Sequence, residues 1–271
     1  MAEHIIQVRH VSHAYGRKQV IDDISLDIVK GKLTGVTGLS GCGKTTLLKI
    51  IAGLIEPDRG EVIIDGIDIF TLPRIKLLEL RKKIGFIFQD GALLSNLSVF
   101  DNIALPLRYH YELSQNEIKN RVESYLDFYR VSDHRDMMPG HLSIGERKLI
   151  GVIRTLVMEP RIIFSDEPIG TMDAIVRQRV LDTMVTLRDD PEITILSFTH
   201  NIDMIKQYAD YIGILHDRRL LAYGRREDII HSSDPMLQRI LSIIIDETEM
   251  LADSVLGIMT GDLDGEPEPA E

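Results

Sequence analysis

The chain has no tryptophan, a single cysteine, and no lysine, arginine or histidine after Arg239. One cysteine excludes an intrachain disulfide and makes no metal site out of thiolates. Nowhere is there an uninterrupted apolar run of the ~18 residues that a membrane-crossing helix requires. The opening residues, MAEHIIQVRH, lack the apolar core of a signal peptide, so the sequence predicts a protein that works in the cytoplasm. Basic charge is also short. The formal net charge of −11 argues against general nucleic-acid binding, which needs a basic footprint. No internal repeat is evident, and low complexity is confined to the Gly265-Glu266-Pro267-Glu268-Pro269 end.

The acidity is concentrated at one end. Carboxylates stand at 246, 247, 249, 253, 262, 264, 266, 268 and 271, with no cation among them. They account for most of the net charge and leave the rest of the chain near neutral. Two readings of this tail stand open: a solvated, partly disordered end, or a docking segment, since residues 250–259 still carry Met, Leu, Val and Ile. The remaining length suffices for one domain, or a domain with a subdomain.

What the chain does have begins with Gly38-Leu39-Ser40-Gly41-Cys42-Gly43-Lys44-Thr45, which fits the phosphate-loop pattern at every fixed position. The glycines let backbone wrap an anion without Cβ clashes. Successive N–H groups then point inward at a helix start. Lys44 is the residue to reach the β- and γ-phosphates, and the Thr45 hydroxyl suits Mg²⁺. The context agrees: 32–37 reads as a buried strand and 45–52 as an apolar helix. Cys42 stands at a variable position of the pattern, and its expected role is bland.

Alternation at Ile6–Arg9 and Ile24–Ile28 predicts antiparallel strands. Residues 61–65 read as a strand ending in a turn at Gly66, and 83–88 as a strand stopping at Gln89. The stretch 98–159 is mostly helical in pattern, with Ile118, Val122 and Leu126 at i, i+4 spacing. Residues 161–165 and 193–198 read as central strands, with an amphipathic helix at 174–188 between them. A hairpin follows around Asp217-Arg218-Arg219. Beyond Gly224 the pattern is helical, broken at Ser232–Pro235. The predicted fold class is α/β: a P-loop core with an antiparallel β subdomain and an inserted helical subdomain.

The strand at 161–165 delivers two carboxylates at its end. Asp166 suits contact with Mg²⁺, directly or through water, and Glu167 suits polarisation of an attacking water. Gln89 ends its strand with a carbonyl oxygen that can sense metal and water. His200, also at a strand end, can hydrogen-bond a γ-phosphate. Ser143 is a plausible N-cap of a helix running to Met158, and Glu146 the third residue of a capping box.

In this order the phosphate loop, Gln89, Leu142-Ser143-x-Gly145, Asp166-Glu167, Met172-Asp173 and His200 resemble the ATP-binding cassette ATPases of ABC transporters. The resemblance covers residues 5–225, with the helical subdomain at approximately 95–159 and a C-terminal helical extension with its acidic tail at 226–271. It implies ATP and Mg²⁺ as cofactors, with Thr45, Gln89 and Asp166 at the metal, and Glu167, His200, Lys44 and Gln89 in catalysis. By the same resemblance Tyr15 stacks on adenine, residues Gly38 to Thr46 cradle phosphates, and Thr46 follows Thr45 in that contact. Two cassettes pair head to tail. Ser143 and Gly145 then contact the nucleotide of the second chain, a homodimer partner, and Asp173 links the two sites. The region after Gln89 grips transmembrane permease subunits.

A narrower resemblance lies in Phe88-Gln89-Asp90-Gly91-Ala92-Leu93-Leu94 and in residues 99–108, VFDNIALPLR. These are similar to the ATPases of Mla/Mce-type phospholipid transporters. That resemblance implies lipid movement between bacterial inner and outer membranes, a place on the cytoplasmic face of the inner membrane, a periplasmic Mce-type lipid-binding subunit and a small cytoplasmic partner. Other readings are an ABC ATPase for another substrate, or an ATP-gated regulatory subunit with weak hydrolysis. A soluble two-cassette protein is disfavoured by the single cassette, and a GTPase by the absence of Asn-Lys-x-Asp.

The signature departs from the usual L-S-G-G-Q or L-S-G-G-M. Ile144 puts a β-branched side chain where backbone should approach phosphate, and Glu146 puts a charge near an anion. Like charges 4 Å apart repel by roughly 4 kcal/mol at an effective dielectric of 20. Leu149 stands where arginine is common, Ser165 interrupts an apolar strand, and Met172 replaces leucine. The expectation is good ATP binding with slow or partner-dependent hydrolysis. Ile144→Gly with Glu146→Gln should raise ATPase turnover in the assembled transporter; an unchanged rate refutes tuning by these residues.

Overall fold

The structure, a computed structural model, describes residues 3–170 and 172–245. In chain order the strands are β1 (His4–Tyr15), β2 (Lys18–Val29), β3 (Leu33–Gly38), β4 (Arg59–Ile64), β5 (Ile67–Asp68), β6 (Ile84–Ile87), β7 (Ile162–Asp166), β8 (Thr194–Phe198), β9 (Tyr211–His216) and β10 (Arg219–Arg225). The helices are α1 (Lys44–Ile51), α2 (Arg74–Lys82), α3 (Val99–His110), α4 (Gln115–Phe128), α5 (Ile144–Leu156), α6 (Ala174–Arg188), α7 (Ile202–Tyr208), α8 (Arg226–Ile230) and α9 (235–245). The fold is α/β, as the sequence predicts.

Two sheets form. The first has order β2-β1-β4-β5 and is antiparallel. The second has order β10-β9-β3-β8-β7-β6 and is parallel except at the β9–β10 hairpin. Asp217 and Arg218, both at positive φ, turn that hairpin.

Strand period sorts the core into two layers. On β7, Ile162 and Phe164 face the cluster shared with the antiparallel sheet and α1, while Ile163 faces the helices beyond. On β8, Leu196 and Phe198 take the first face and Ile195 the second. β3, β7 and β8 are buried on both faces, and β7 and β8 accordingly carry consecutive apolar residues, whereas β3 (LTGVTG) fills most of its buried positions with glycine and threonine. Each fully buried side chain of this size stabilises by about 1.5–3 kcal/mol. The antiparallel sheet is covered on one face, and its alternation survives in the sequence.

Helix starts follow their caps. Ser98 accepts the N–H of Asp101, Ser114 forms a capping box with Glu117, and Ser143 does so with Glu146. Ile118, Val122 and Leu126 are all buried, as their spacing predicts. Three differences from the sequence reading have physical causes. No helix is read at α2 because it buries only Leu80 and starts on Pro73 without a side-chain cap. Residues between α4 and α5 hold only two single 3-10 turns, Ser132–His134 and Pro139–His141. α5 stops at Leu156, short of Met158. At the other end Asp234 accepts the N–H groups of Met236 and Leu237, which starts α9 after the predicted break. α9 buries Leu237, Ile240, Leu241 and Ile244. The acidic segment 246–271, with its two alternative readings, lies outside the described residues.

The loop after β6 is clasped to α5. A Cβ on Gly151 would sit 2.8 Å from the Gly91 backbone. Arg154 donates to the carbonyls of Ala92 (2.8 Å) and Gly91 (2.9 Å). Buried Asn102 then ties Leu94 to α3 through its N–H (2.8 Å) and carbonyl (3.1 Å). Gly151→Val should destabilise the protein by about 1–3 kcal/mol, because the neighbour it meets is backbone. Thermal melting checks this; an unchanged midpoint would mean that the loop yields freely.

Candidate active site

β3 ends at Gly38 and α1 begins at Lys44, so the phosphate loop bridges a buried strand and a helix. Glycine is required at both ends. A Cβ at Gly38 would meet the Leu215 carbonyl at 2.2 Å, and one at Gly43 (φ 105) the Val20 carbonyl at 2.7 Å. Gly43 caps α1 with no side-chain hydrogen bond, and the first turn holds no acid. The first turn therefore has amide groups without a side-chain acceptor and a positive dipole end, a setting for an anion. Leu39, Ser40, Gly41 and Thr45 are partly or fully exposed along this loop, whereas Cys42 is buried in it. Lys44 Nζ folds back onto the carbonyls of Gly38 (2.6 Å) and Leu39 (3.3 Å). Thr46 follows on α1, half-buried.

Asp166 closes β7 and Glu167 follows at φ 49. Burial and then the neighbouring Glu167 charge push the Asp166 carboxyl above its usual range, against a Thr45 hydrogen bond and the charges of Lys49 and Lys44. A cation beside Thr45 and Asp166 would relieve that strain. Among the described residues no three His, Cys, Asp or Glu are arranged to hold a metal. A cation at Asp166 would therefore take its remaining ligands from hydroxyl, amide, water and phosphate oxygens. That donor set fits Mg²⁺, which binds through one or two carboxylates plus phosphates. Gln89 lies exposed just beyond β6, the strand beside β7.

Glu167 is held tightly. Its Oε2 accepts from Thr199 Oγ1 (2.7 Å), and its Oε1 accepts from the His200 backbone N–H (2.9 Å). The same oxygen lies 2.6 Å from His200 Nδ1. Burial works to raise its pKa, but the bonds and charge from His200 and the Thr199 bond outweigh it and hold the carboxyl below its usual range. An ionised Glu167 can only accept, so Nδ1 carries the proton. Sequence reasoning places these two residues at one phosphate; the structure also brings them into direct contact with each other.

Tyr15 ends β1, half-exposed, with its ring edge-on to buried His13 at 4.9 Å. The β1–β2 hairpin that carries it also lays Val20 against Gly43. Ser143 and Gly145 start α5 beside Asp173, whose Oδ2 would be 3.2 Å from a Gly145 Cβ. Asp173 caps α6 by accepting from Ile175 and Val176 N–H, both at 3.0 Å. The signature and Asp173 thus meet within one chain. They do not pack with the phosphate loop: the buried side chains of α1 belong to one core cluster and those of α5 to the other, across the parallel sheet.

Glu146 closes the capping box that its spacing from Ser143 predicts, so its carboxylate is engaged at the helix start. Its Oε2 accepts the Ser143 N–H at 2.7 Å. Lys148 escaped the sequence reading. It is buried on α5, and its Nζ donates to the Gly170 carbonyl. Burial lowers its pKa, with the charges of Glu167 and Asp90 opposing. The available signal was a lysine among the buried positions Gly145, Leu149 and Val152 of an apolar helical stripe.

Residues 21–170 match the family described as ABC transporter. The chain is 34% identical over 234 residues to the intermembrane phospholipid transport system ATP-binding protein MlaF of Haemophilus influenzae, covering 86% of this chain and 89% of that one. It is 33% identical over 237 residues to the probable ribonucleotide transport ATP-binding protein mkl of Mycobacterium leprae, covering 88% and 68%. The ATP-binding cassette MJ0796, solved as a dimer in a post-hydrolysis state with ADP and Pi, superposes with a TM-score of 0.76 at 28% identity, covering 82% of this chain and 98% of that one. With the glycine loop, the paired carboxylates and the separate α5 start in place, the chain belongs to the ABC transporter family as an ABC-type ATPase.

Proposed function

We propose that this chain hydrolyses ATP to drive phospholipid transport between bacterial membranes, acting as one of two cassettes that share their nucleotide sites. The observation that carries the hydrolytic part is the Glu167 carboxylate, buried, ionised and adjacent to Asp166. Support for the lipid part comes from the MlaF relative and from residues 88–94 and 99–108. The mkl relative, named for ribonucleotides, favours a second reading with another substrate.

In this reading Lys44 leaves the carbonyls of Gly38 and Leu39 for the β- and γ-phosphates, and the amides of Ser40 to Thr46 take the remaining oxygens. Thr45, Asp166 and Gln89 would hold Mg²⁺, which when bound neutralises phosphate charge. Tyr15 stacks on adenine. Glu167 accepts a hydrogen bond from the attacking water once the γ-phosphate competes for His200. Ser143 and Gly145 of a second copy complete the site, and Asp173 reports one site to the other.

The domain division follows: 5–225 as the ATPase domain with its helical subdomain at about 95–159, and 226–271 as the extension. Exposed Leu94, Leu105 and Tyr109 support docking of permease subunits along the loop after Gln89 and one face of α3. In this reading the chain sits on the cytoplasmic face of the inner membrane, in an assembly that includes a periplasmic Mce-type subunit across the membrane and a small cytoplasmic partner.

Lys44→Ala should weaken ATP binding by about 1.5–3 kcal/mol, the worth of a charged hydrogen bond. Titration with a fluorescent ATP analogue checks this, and unchanged affinity contradicts the role of Lys44. Glu167→Gln should stop turnover and accumulate ATP-bound dimers, seen by sedimentation. Rapid phosphate release from that variant would remove the hydrolytic assignment.

A further inference from the structure

The start of α5 depends on a residue outside every motif. Ser143 Oγ accepts the N–H of Glu146 at 3.2 Å, and Glu146 Oε2 accepts the N–H of Ser143 at 2.7 Å. The second carboxylate oxygen, Oε1, lies 2.9 Å from His134 Nε2. His134 comes from the 3-10 turn Ser132–His134, pinned by its N–H to the Val131 carbonyl (3.0 Å) and by its carbonyl to the Met137 N–H (2.9 Å). Its Nδ1 is buried with no hydrogen-bond partner, so the ring is committed to Glu146.

The Ser143 backbone bond, above all, and the His134 contact hold Glu146 ionised. A carboxylate only accepts, so Nε2 is the donor. Ser143 Oγ uses a lone pair on Glu146 N–H, which leaves its O–H proton to donate elsewhere. Ser143 is exposed, and Asp173 already puts one carboxylate beside Gly145. An unpaired Glu146 would be the second acid at a loop that must meet phosphate.

We infer that His134 is a positioning residue for the signature loop: by holding Glu146 within the capping box and turned toward Nε2, it presents the Ser143 hydroxyl to the γ-phosphate of a nucleotide bound by a second copy. This rests on the shared-site reading under Proposed function.

The test uses the full chain carrying Glu167→Gln, with ATP-driven dimerisation followed by sedimentation and nucleotide affinity measured on the monomer. Adding His134→Ala should raise the half-saturating ATP for dimerisation about tenfold, with monomer affinity unchanged. Adding Glu146→Gln to His134→Ala should return it to within about twofold, since glutamine keeps the box and carries no charge. A purely structural His134 would instead lower the melting temperature with no rescue. The inference is overturned if His134→Ala dimerises at unaltered ATP, or if the double substitution is as defective as the single one. If the chain with His134 intact never dimerises with ATP, the shared-site reading fails and this inference with it.

Discussion

The site depends on the register of three adjacent parallel strands. β8 pairs with β3 on one side and β7 on the other, so that Phe198 stands opposite both Val36 and Asp166. The strands therefore end together. Gly38, the Asp166–Glu167 pair and the Thr199–His200 pair emerge at one edge, and the backbone bonds from Glu167 N–H to Phe198 O (2.9 Å) and Thr199 N–H to Val36 O (3.1 Å) lock the spacing. Moving one strand by a single residue would turn its side chains to the other face and expose Phe164 or Phe198 to the wrong layer. The apolar layers on both faces hold the polar edge in place.

The same sheet divides the chemistry. α1 lies on the face shared with the antiparallel sheet, and α5 on the other with α3 and α6. The glycine loop and the start of α5 are therefore built on opposite layers. α5 is joined to the polar edge through side chains that reach backbone: Lys148 donates to the Gly170 carbonyl after Glu167, and Arg154 to the carbonyls after Gln89. These contacts tie α5 to the segments that follow Gln89 and Glu167.

Much of this was legible because the deciding forces were local. β7 shows as an apolar run ending in Asp166-Glu167, β8 as one ending before Thr199-His200, and β3 through the glycine loop that follows it. The glycine loop shows because its backbone tolerates nothing else. α4 shows through Ile118, Val122 and Leu126. What was missed depends on distant partners. α2 buries one side chain and leaves no stripe. Lys148 looks like a surface lysine until Gly170, 22 residues away, is folded against it. The capping box of Ser143 and Glu146 was legible, but the contact of Glu146 with His134 was not, because His134 lies 12 residues back on a turn with no motif. The Glu167–His200 contact spans 33 residues, and both members appear in the sequence only as separate strand ends.

The proposed function requires this chain to hold half of each nucleotide site. The structure of its Glu167→Gln form with ATP and Mg²⁺ tests that most directly. Shared sites put Ser143 Oγ of one copy within hydrogen-bond distance of the γ-phosphate held by Lys44 of the other, with Glu146 still bound to His134. A nucleotide enclosed by a single copy, or a Ser143 left in solvent while ATP is bound, would contradict it.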